Sequence, residues 1–259
     1  MPEEPLPQVR LRVFPSLEVL SYEVAVRFCG LARSSVAEKR TFSAALSGGA
    51  TPRRLYELLA SPTFSPEIPW ESVHLFQVDE RCVPPNHPES NYRLIREALL
   101  SHAPVPEANF HRMTAELEDR EGASRQYAAE LSRILQPGKG ETPRLDLILL
   151  GMGLDGHTAS LFPGTAVLRE QSAWVRPNFV EKLMAYRLTL TLPVLNAAAR
   201  ILFLAAGADK AETLRQVVEG SRRPEELPAQ YVQPAHGQVE WYVDENAARL
   251  LKSAMGSAP

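Results

Sequence analysis

The feature that most constrains the fold is a short apolar run that stops at closely spaced glycines. Residues 147–150 (Leu-Ile-Leu-Leu) have the length and composition of a strand buried on both faces. The run is followed at once by glycines and polar side chains: Gly151, Gly153, Asp155, Gly156, His157, Thr158 and Ser160. Ligands of open α/β sheets bind just beyond the carboxyl ends of strands, so chemistry is expected here. Within this segment, His157 is the side chain that exchanges protons near neutral pH.

Two other interpretations of this segment stay open at this point. The glycines follow the pattern Gly-x-Gly-x-x-Gly, which is also the dinucleotide-binding fingerprint. That fingerprint normally opens the first strand–helix unit, whereas this one lies past the middle of the chain. It also requires an acidic residue about 20 positions later at a strand end, and Glu170 lies in a polar, loop-like stretch instead. The second interpretation is a purely structural turn.

Predicted strands and helices alternate along the chain. Strands are expected at residues 9–14, 41–46, 73–78, 110–113, 147–150, 186–193, 200–206 and 239–243. Helices are expected at residues 17–38, 53–60, 92–102, 121–135, 211–218 and 245–251, the first with Ser16 as its N-cap. This alternation predicts an α/β fold, with a Rossmann-like, mostly parallel sheet and helices on both faces. We expect one catalytic domain over residues 9–252, with tails at 1–8 and 253–259.

Composition limits the partners and the compartment. The 259 residues are 44% hydrophobic and 23% charged, and the net charge is −3, so neither nucleic acid nor a membrane surface is an expected partner. No apolar run approaches the ~20 residues that span a bilayer. The two cysteines, Cys29 and Cys82, form neither a disulfide framework nor a metal-spaced cluster. With an acidic, proline-rich start in place of a signal peptide, the expected location is the cytoplasm.

A second glycine-containing segment predicts an anion site. Gly48 and Gly49 separate the strand at 41–46 from the helix at 53–60, with Thr51 suited to cap that helix and Pro52 to begin it. Free backbone N–H groups and the positive end of the helix dipole together attract phosphate. The alternative is a simple tight turn. Lys210, near another helix start, is poorly placed for the dipole and is a further candidate for binding an anion.

Four segments, taken in order, resemble the 6-phosphogluconolactonases of the glucosamine-6-phosphate isomerase/6-phosphogluconolactonase superfamily. They are LSGGATP (46–52), DERCVP (79–84), GMGLDGHTASLFP (151–163) and RLTLTLPVLN (187–196). The third segment is highly specific, and the resemblance extends from about residue 9 to residue 251. One departure is Ala50, where the family usually has serine, which removes one hydroxyl contact to phosphate and leaves the backbone N–H groups intact.

The resemblance implies a small-molecule sugar phosphate as substrate and hydrolysis of 6-phospho-D-glucono-1,5-lactone, without cofactor or metal. His157 would be the general base, oriented by Asp155 or by Asp79, and backbone N–H groups around Gly153 and Gly156 would stabilise the oxyanion. The resemblance implies that the phosphate is held by Gly48, Gly49, Thr51, Arg187 and Lys210. Arg81 would bind the phosphate or position the substrate.

Two alternatives accompany the lactonase hypothesis. Glucosamine-6-phosphate deaminases share a similar glycine-rich loop and Asp-Gly-His, but their histidine is followed by a segment ending in Asn-Glu-Pro, whose glutamate is catalytic. This chain has Ser160-Leu161-Phe162-Pro163 there, without an acid. The other alternative is a non-catalytic sugar-phosphate sensor. Such a sensor usually carries a DNA-binding domain and can lose the histidine, whereas this chain retains His157.

Overall fold

A computed structural model describes residues 10–252, and the predicted tails, residues 1–8 and 253–259, lie outside this range. The strands are β1 Arg10–Phe14, β2 Phe42–Leu46, β3 Val73–Gln77, β4 Asp79–Arg81, β5 Phe110–His111, β6 Leu147–Gly151, β7 Val175–Val180, β8 Ala185–Leu190, β9 Arg200–Ala205 and β10 Gln238–Asp244. The helices are α1 Leu17–Lys39, α2 Ala50–Leu59, α3 Asn91–Ile95, α4 Arg120–Leu135, α5 Leu192–Ala197, α6 Ala211–Glu219 and α7 Glu245–Ala248. A π-helical turn, Arg96–Leu100, extends α3.

The main sheet has seven strands in the order β1-β10-β9-β6-β2-β3-β5, and every neighbouring pair is parallel. Successive residues of the central strand β6 enter different hydrophobic layers. Leu147 and Leu149 pack with α1, α2 and α3, whereas Ile148 and Leu150 pack on the opposite face with α4, α5, α6 and α7. This alternation explains why β6 is apolar throughout, and it confirms the predicted α/β fold with helices on both faces.

A second, antiparallel sheet was not predicted. It has the order β4-β8-β7 and begins where the chain leaves β3. Val78 joins the two sheets, because its N–H donates to Leu46 O at 3.0 Å and its carbonyl accepts from Leu190 N at 2.8 Å. Strand β7 contains Pro177, which lowers the strand signal and is tolerated because β7 is an edge strand. The prediction of one unbroken strand at 186–193 was wrong at its end, since β8 stops at Leu190 and α5 begins at Leu192.

Local capping rules predict the start of α1 correctly and the start of α2 wrongly. The Ser16 side chain accepts a hydrogen bond from Val19 N at 3.4 Å, so the predicted N-cap of α1 is confirmed. The predicted Thr51 cap of α2 was wrong, because the helix begins at Ala50 with Gly49 as its N-cap. Gly49 has φ +109°, a conformation that glycine adopts easily. Pro52 still fits, because N–H groups in the first turn have no partner within the helix.

No helix within residues 10–252 has the length and apolar character needed to cross a membrane.

Candidate active site

The loop after β6 is built around a tight turn. Gly153 N donates to His157 O at 2.8 Å, and Gly156 N donates to Gly153 O at 3.1 Å. A Cβ on Gly153 would lie 2.0 Å from His157 Nδ1, so only glycine leaves room for the imidazole ring. Gly156 has φ +73°, and a Cβ there would meet Leu227 at 2.7 Å. Two of the three glycines are therefore required to place His157 at the end of β6.

His157 is hydrogen bonded to Asp155 within this loop. Its Nδ1 lies 2.5 Å from Asp155 Oδ1, and its ring stacks on Phe162 with centroids 4.0 Å apart. An ionised carboxylate only accepts hydrogen bonds, so the neutral ring carries its proton on Nδ1. The other nitrogen, Nε2, is then free to accept a proton. Of the two acids predicted to orient His157, Asp155 makes the contact.

Asp79 occupies a different position in the site. Its Oδ2 accepts a hydrogen bond from Ser160 Oγ at 2.6 Å, and its Oδ1 accepts from Asn91 Nδ2 at 3.3 Å. Asp79 is buried at the start of β4, where it lies near His157 without bonding to Nδ1. Its carboxylate therefore adds negative charge to the site and fixes the loop through Ser160.

A cavity of about 450 Å³ brings several of the predicted residues together. It is lined by Asp79, Arg81, Leu154, Asp155, His157, Ala159, Ser160, Phe162, Lys182, Leu183 and Arg187. These residues come from the loop after β6, from β4 and β8, and from the hairpin between β7 and β8. The antiparallel sheet therefore supplies the wall that faces the histidine.

Two arginines give this wall a positive charge. Arg81 on β4 lies directly opposite Arg187 on β8 in the antiparallel register. Like charges at opposed positions are destabilising unless an anion offsets them. Burial, together with the charge of Arg81, lowers the pKa of Arg187. The pair therefore has the character of an anion-binding site, and the roles that the resemblance implies for these two residues stay predictions.

The glycines after β2 are set back from this cavity. Among the described residues that line it, Gly48, Gly49 and Thr51 are not included. They are connected to it through Asn91, whose side chain fills the space where a Cβ of Gly48 would lie and donates to Asp79 O at 2.9 Å. Gly48 and Gly49 place the N-terminus of α2 beside this network. Their predicted role in binding phosphate stays a prediction.

Lys210 approaches the site from the loop after β9. It ends a short 3-10 turn, Ala208–Lys210, that is anchored by Asp244, whose two carboxylate oxygens accept from Gly207 N at 3.0 and 3.1 Å. Lys210 is half-buried, and its positive charge acts on His157. Its position is thus compatible with the predicted contact to an anionic substrate.

The environment keeps the His157 imidazole neutral. Burial lowers the pKa of His157 to about 4, the negative charge of Asp79 opposes this, and the positive charges of Lys210, Arg81 and Arg187 add to it. The Asp155 carboxylate, at 2.5 Å from Nδ1, also favours the protonated ring. At neutral pH the ring is therefore uncharged, and its unprotonated nitrogen, Nε2, can act as a base.

The predicted oxyanion donors are engaged elsewhere. The backbone N–H groups of Gly153 and Gly156 both donate within the turn, to His157 O and Gly153 O respectively. Neither group is aimed at the cavity, so this geometry argues against the prediction. The physical reason is that the tight turn that positions His157 uses the backbone N–H groups of Gly153 and Gly156 for its own hydrogen bonds.

Glu80 is a residue whose importance the sequence analysis missed. Its buried carboxylate accepts five hydrogen bonds, from Gln77 Nε2, Arg81 N, Ser90 Oγ, Asn91 N and Tyr92 N, at 2.7 to 3.1 Å. Two of these donors are the first backbone N–H groups of α3, whose dipole favours a negative charge there. Glu80 thus fixes the helix that carries Asn91. The available signal was an acid between two predicted site residues.

The described residues, 10–252, contain no group of three or more His, Cys, Asp or Glu side chains that could hold a metal ion.

The fold and the site together define a class of α/β protein. In this class a histidine that is hydrogen bonded to a carboxylate lies beside a cationic pocket, at the carboxyl ends of the strands of a parallel sheet. The sequence pattern of the family described as glucosamine-6-phosphate isomerases/6-phosphogluconolactonase matches residues 15–241. The chain belongs to this family.

Individual relatives agree with this assignment. The chain is 40% identical over 218 residues to the 6-phosphogluconolactonase of Synechocystis sp., covering 84% of this chain and 88% of the relative. It is 35% identical over 253 residues to a probable chloroplastic 6-phosphogluconolactonase of Oryza sativa, covering 94% and 76% respectively. The solved structure of 6-phosphogluconolactonase from Trypanosoma cruzi superimposes with a TM-score of 0.83 at 26% identity, covering 97% of this chain and 100% of that one.

The hydrogen bonds of Glu80 predict a large effect on stability. Glu80→Gln places an NH₂ group where an oxygen now accepts at least two hydrogen bonds, so buried donors lose their partners. We expect the free energy of unfolding, measured by urea denaturation, to fall by about 1–3 kcal/mol. The control is Glu107→Gln, an exposed acid, which should change it by less than about 0.5 kcal/mol. Equal effects in both variants would contradict the role of Glu80.

The lowered pKa of His157 predicts a pH dependence of stability. The unfolded chain, with a His pKa near 6.5, binds more protons than the folded chain between pH 6.5 and about 4. The stabilising contribution is therefore present above pH 6.5 and is lost as the pH falls through this window. We expect the difference in free energy of unfolding between wild type and His157→Gln to decrease on acidification. A constant difference from pH 7 to pH 4 would contradict it.

Proposed function

We propose that this protein hydrolyses 6-phospho-D-glucono-1,5-lactone to 6-phospho-D-gluconate, the lactonase step of the oxidative pentose phosphate pathway. The observation that carries the proposal is the position of His157, bonded to Asp155 at 2.5 Å in the same cavity as Arg81 and Arg187. A general base suits hydrolysis of an ester ring, and a pair of cations beside it suits the phosphate that the ring carries. The relatives named as 6-phosphogluconolactonases support the same substrate.

The proposed reaction begins with attack of water on the lactone carbonyl. His157 Nε2 takes a proton from the water as the new C–O bond forms, and the ring becomes an imidazolium. Asp155 stabilises that cation through Nδ1–H and keeps the ring in the productive tautomer. The proton then passes to the ring oxygen as the C–O bond of the lactone breaks. A lactone is an activated ester, so this route requires a base and needs no metal.

The phosphate is assigned to the cationic side of the site. In this proposal Arg187 and Lys210 supply positive charge, and the backbone N–H groups at Gly48 and Gly49 and the hydroxyl of Thr51 donate hydrogen bonds to the phosphate. Arg81, opposite Arg187, either shares the phosphate or positions the lactone ring. We further propose that residues 9–252 act as one catalytic domain and that the protein works in the cytoplasm. Cys29 and Cys82 are both free, as expected in a reducing compartment.

The general-base assignment predicts a large loss of turnover. His157→Ala should lower kcat by about 10²–10⁴-fold, because proton transfer from water is no longer assisted. The measurement is proton release from freshly prepared lactone, with a blank without protein because such lactones hydrolyse unaided. Near-wild-type turnover in this variant would contradict the base role. Wild-type release no faster than the blank would contradict the lactonase proposal, and ammonia release from glucosamine 6-phosphate would then test the deaminase alternative.

The phosphate assignment predicts a change in KM. Arg187→Ala and Lys210→Ala should each raise KM about 10- to 100-fold, since each removes a charge-assisted contact worth roughly 1.5–3 kcal/mol. The matched control is Arg249→Ala, an exposed arginine after α7. Its KM should equal that of the wild type. An unchanged KM in both site variants would show that the phosphate binds elsewhere.

A further inference from the structure

The hairpin between β7 and β8 places a lysine at the edge of the active site. Lys182 lies in a short 3-10 turn, Glu181–Leu183, and Met184 closes the turn with φ +48°. The side chain of Lys182 lines the 450 Å³ cavity and also a neighbouring cavity of about 970 Å³. Asp155 and Phe162 are the other two residues that line both. Lys182, Asp155 and Phe162 therefore form the wall between the two cavities.

Lys182 contacts Asp155 and Phe162, two side chains that themselves contact His157. Its ammonium group forms an ion pair with Asp155 Oδ2, while Asp155 Oδ1 is bonded to His157 Nδ1. Its Nζ also lies 4.8 Å from the centroid of the Phe162 ring, which stacks on the imidazole. Asp155 thus contacts His157 through Oδ1 and pairs with Lys182 through Oδ2. A rotation of Asp155 away from His157 would break both interactions.

We propose that Lys182 is a positioning residue for His157, holding the Asp155 carboxylate in line with Nδ1 and offsetting its negative charge. The role rests on the proposed lactonase function, in which His157 is the base. Without the ammonium, the carboxylate of Asp155 would lose one of the contacts that hold it in line with Nδ1, and its uncompensated charge beside the ring would favour the protonated imidazole. A protonated His157 cannot accept a proton from water, so Lys182 extends the acidic pH range over which His157 remains an active base.

The direction of this effect follows from the charges around His157. The charged groups that face the ring from its own loop, from β4, from β8, from the hairpin and from the loop after β9 are Asp155, Asp79, Arg81, Arg187, Lys182 and Lys210. Removing one of these four cations lowers the net positive charge around the ring. The proton affinity of the imidazole therefore rises when Lys182 is replaced by an uncharged residue.

A merely structural role does not account for these contacts. The Lys182 side chain is 51% exposed, and an ion pair at such a position contributes little to stability. Lys39 and Asp146 form another lysine–aspartate pair, with Lys39 49% exposed at the end of α1. This pair lies outside the cavity that contains His157. Lys39→Met is therefore a matched control for the loss of one lysine charge and one ion pair.

The first test needs no substrate. The His157 imidazole is titrated by NMR in the wild type, Lys182→Met, Lys182→Arg and Lys39→Met, with His157→Gln used to assign its signal. We expect the midpoint to rise by about 1 pH unit in Lys182→Met, to return toward the wild-type value in Lys182→Arg, and to stay unchanged in Lys39→Met. An unchanged midpoint in folded Lys182→Met would overturn the proposal.

Kinetics on the lactone supply the second test. In Lys182→Met we expect kcat at acidic pH to fall several-fold with KM little changed. The acid limb of kcat/KM, which reports the free enzyme, should move in step with the NMR midpoint. A raised KM with unchanged kcat and an unchanged midpoint would instead make Lys182 a substrate ligand and overturn the positioning role. If the wild type does not hydrolyse the lactone, the proposed function fails, while the NMR midpoint still reports whether Lys182 controls His157.

Discussion

The parallel strands β2 and β6 are neighbours in the sheet, but the chain leaves them in opposite directions. After β2 it passes through α2 to β3 on one side, and after β6 it returns to β9 on the other. The connections cannot fill the space between them, so a crevice opens at the carboxyl ends of these two strands. Gly48 and His157 follow directly at this point. The remaining elements of the site, including the antiparallel sheet, are arranged around that crevice.

Within the crevice, function depends on a balance of charge around one imidazole. Burial and nearby cations favour the neutral ring, whereas Asp155 and Asp79 favour its protonated form. A base needs both influences, because it must be unprotonated before the reaction and stabilised as a cation during it. The Asp155 carboxylate, bonded to Nδ1, stabilises the cation during the reaction. The cations that recognise an anionic substrate also help to keep the imidazole neutral before the reaction. The same residues therefore serve substrate binding and set the proton affinity of His157.

The sequence predicted the parts of this arrangement that local rules control. The apolar run before Gly151 placed a strand, and the glycines and polar residues after it placed His157 and Asp155. The structure brings these together with Arg81 and Arg187, although their catalytic roles stay predictions. The pairing of β4 with β8 and the contact of Lys182 with Asp155 join residues that are distant in sequence. The five hydrogen bonds of Glu80 reach at most 12 positions along the chain, to Tyr92, but they run across an irregular loop. No local periodicity encodes such contacts, and Pro177 weakens the strand signal of β7.

The passage of the chain from β3 through Val78 into β4 has a consequence for how the molecule is assembled. Strand β4 belongs to a sheet whose central strand, β8, comes much later in the chain, so Asp79 cannot pair with Thr189 until most of the protein has been made. Pairing over such a separation costs loop-closure entropy before any contact compensates it. Strands β2 and β3 can therefore pair early, whereas the pocket acquires its second wall only after β8 has been made.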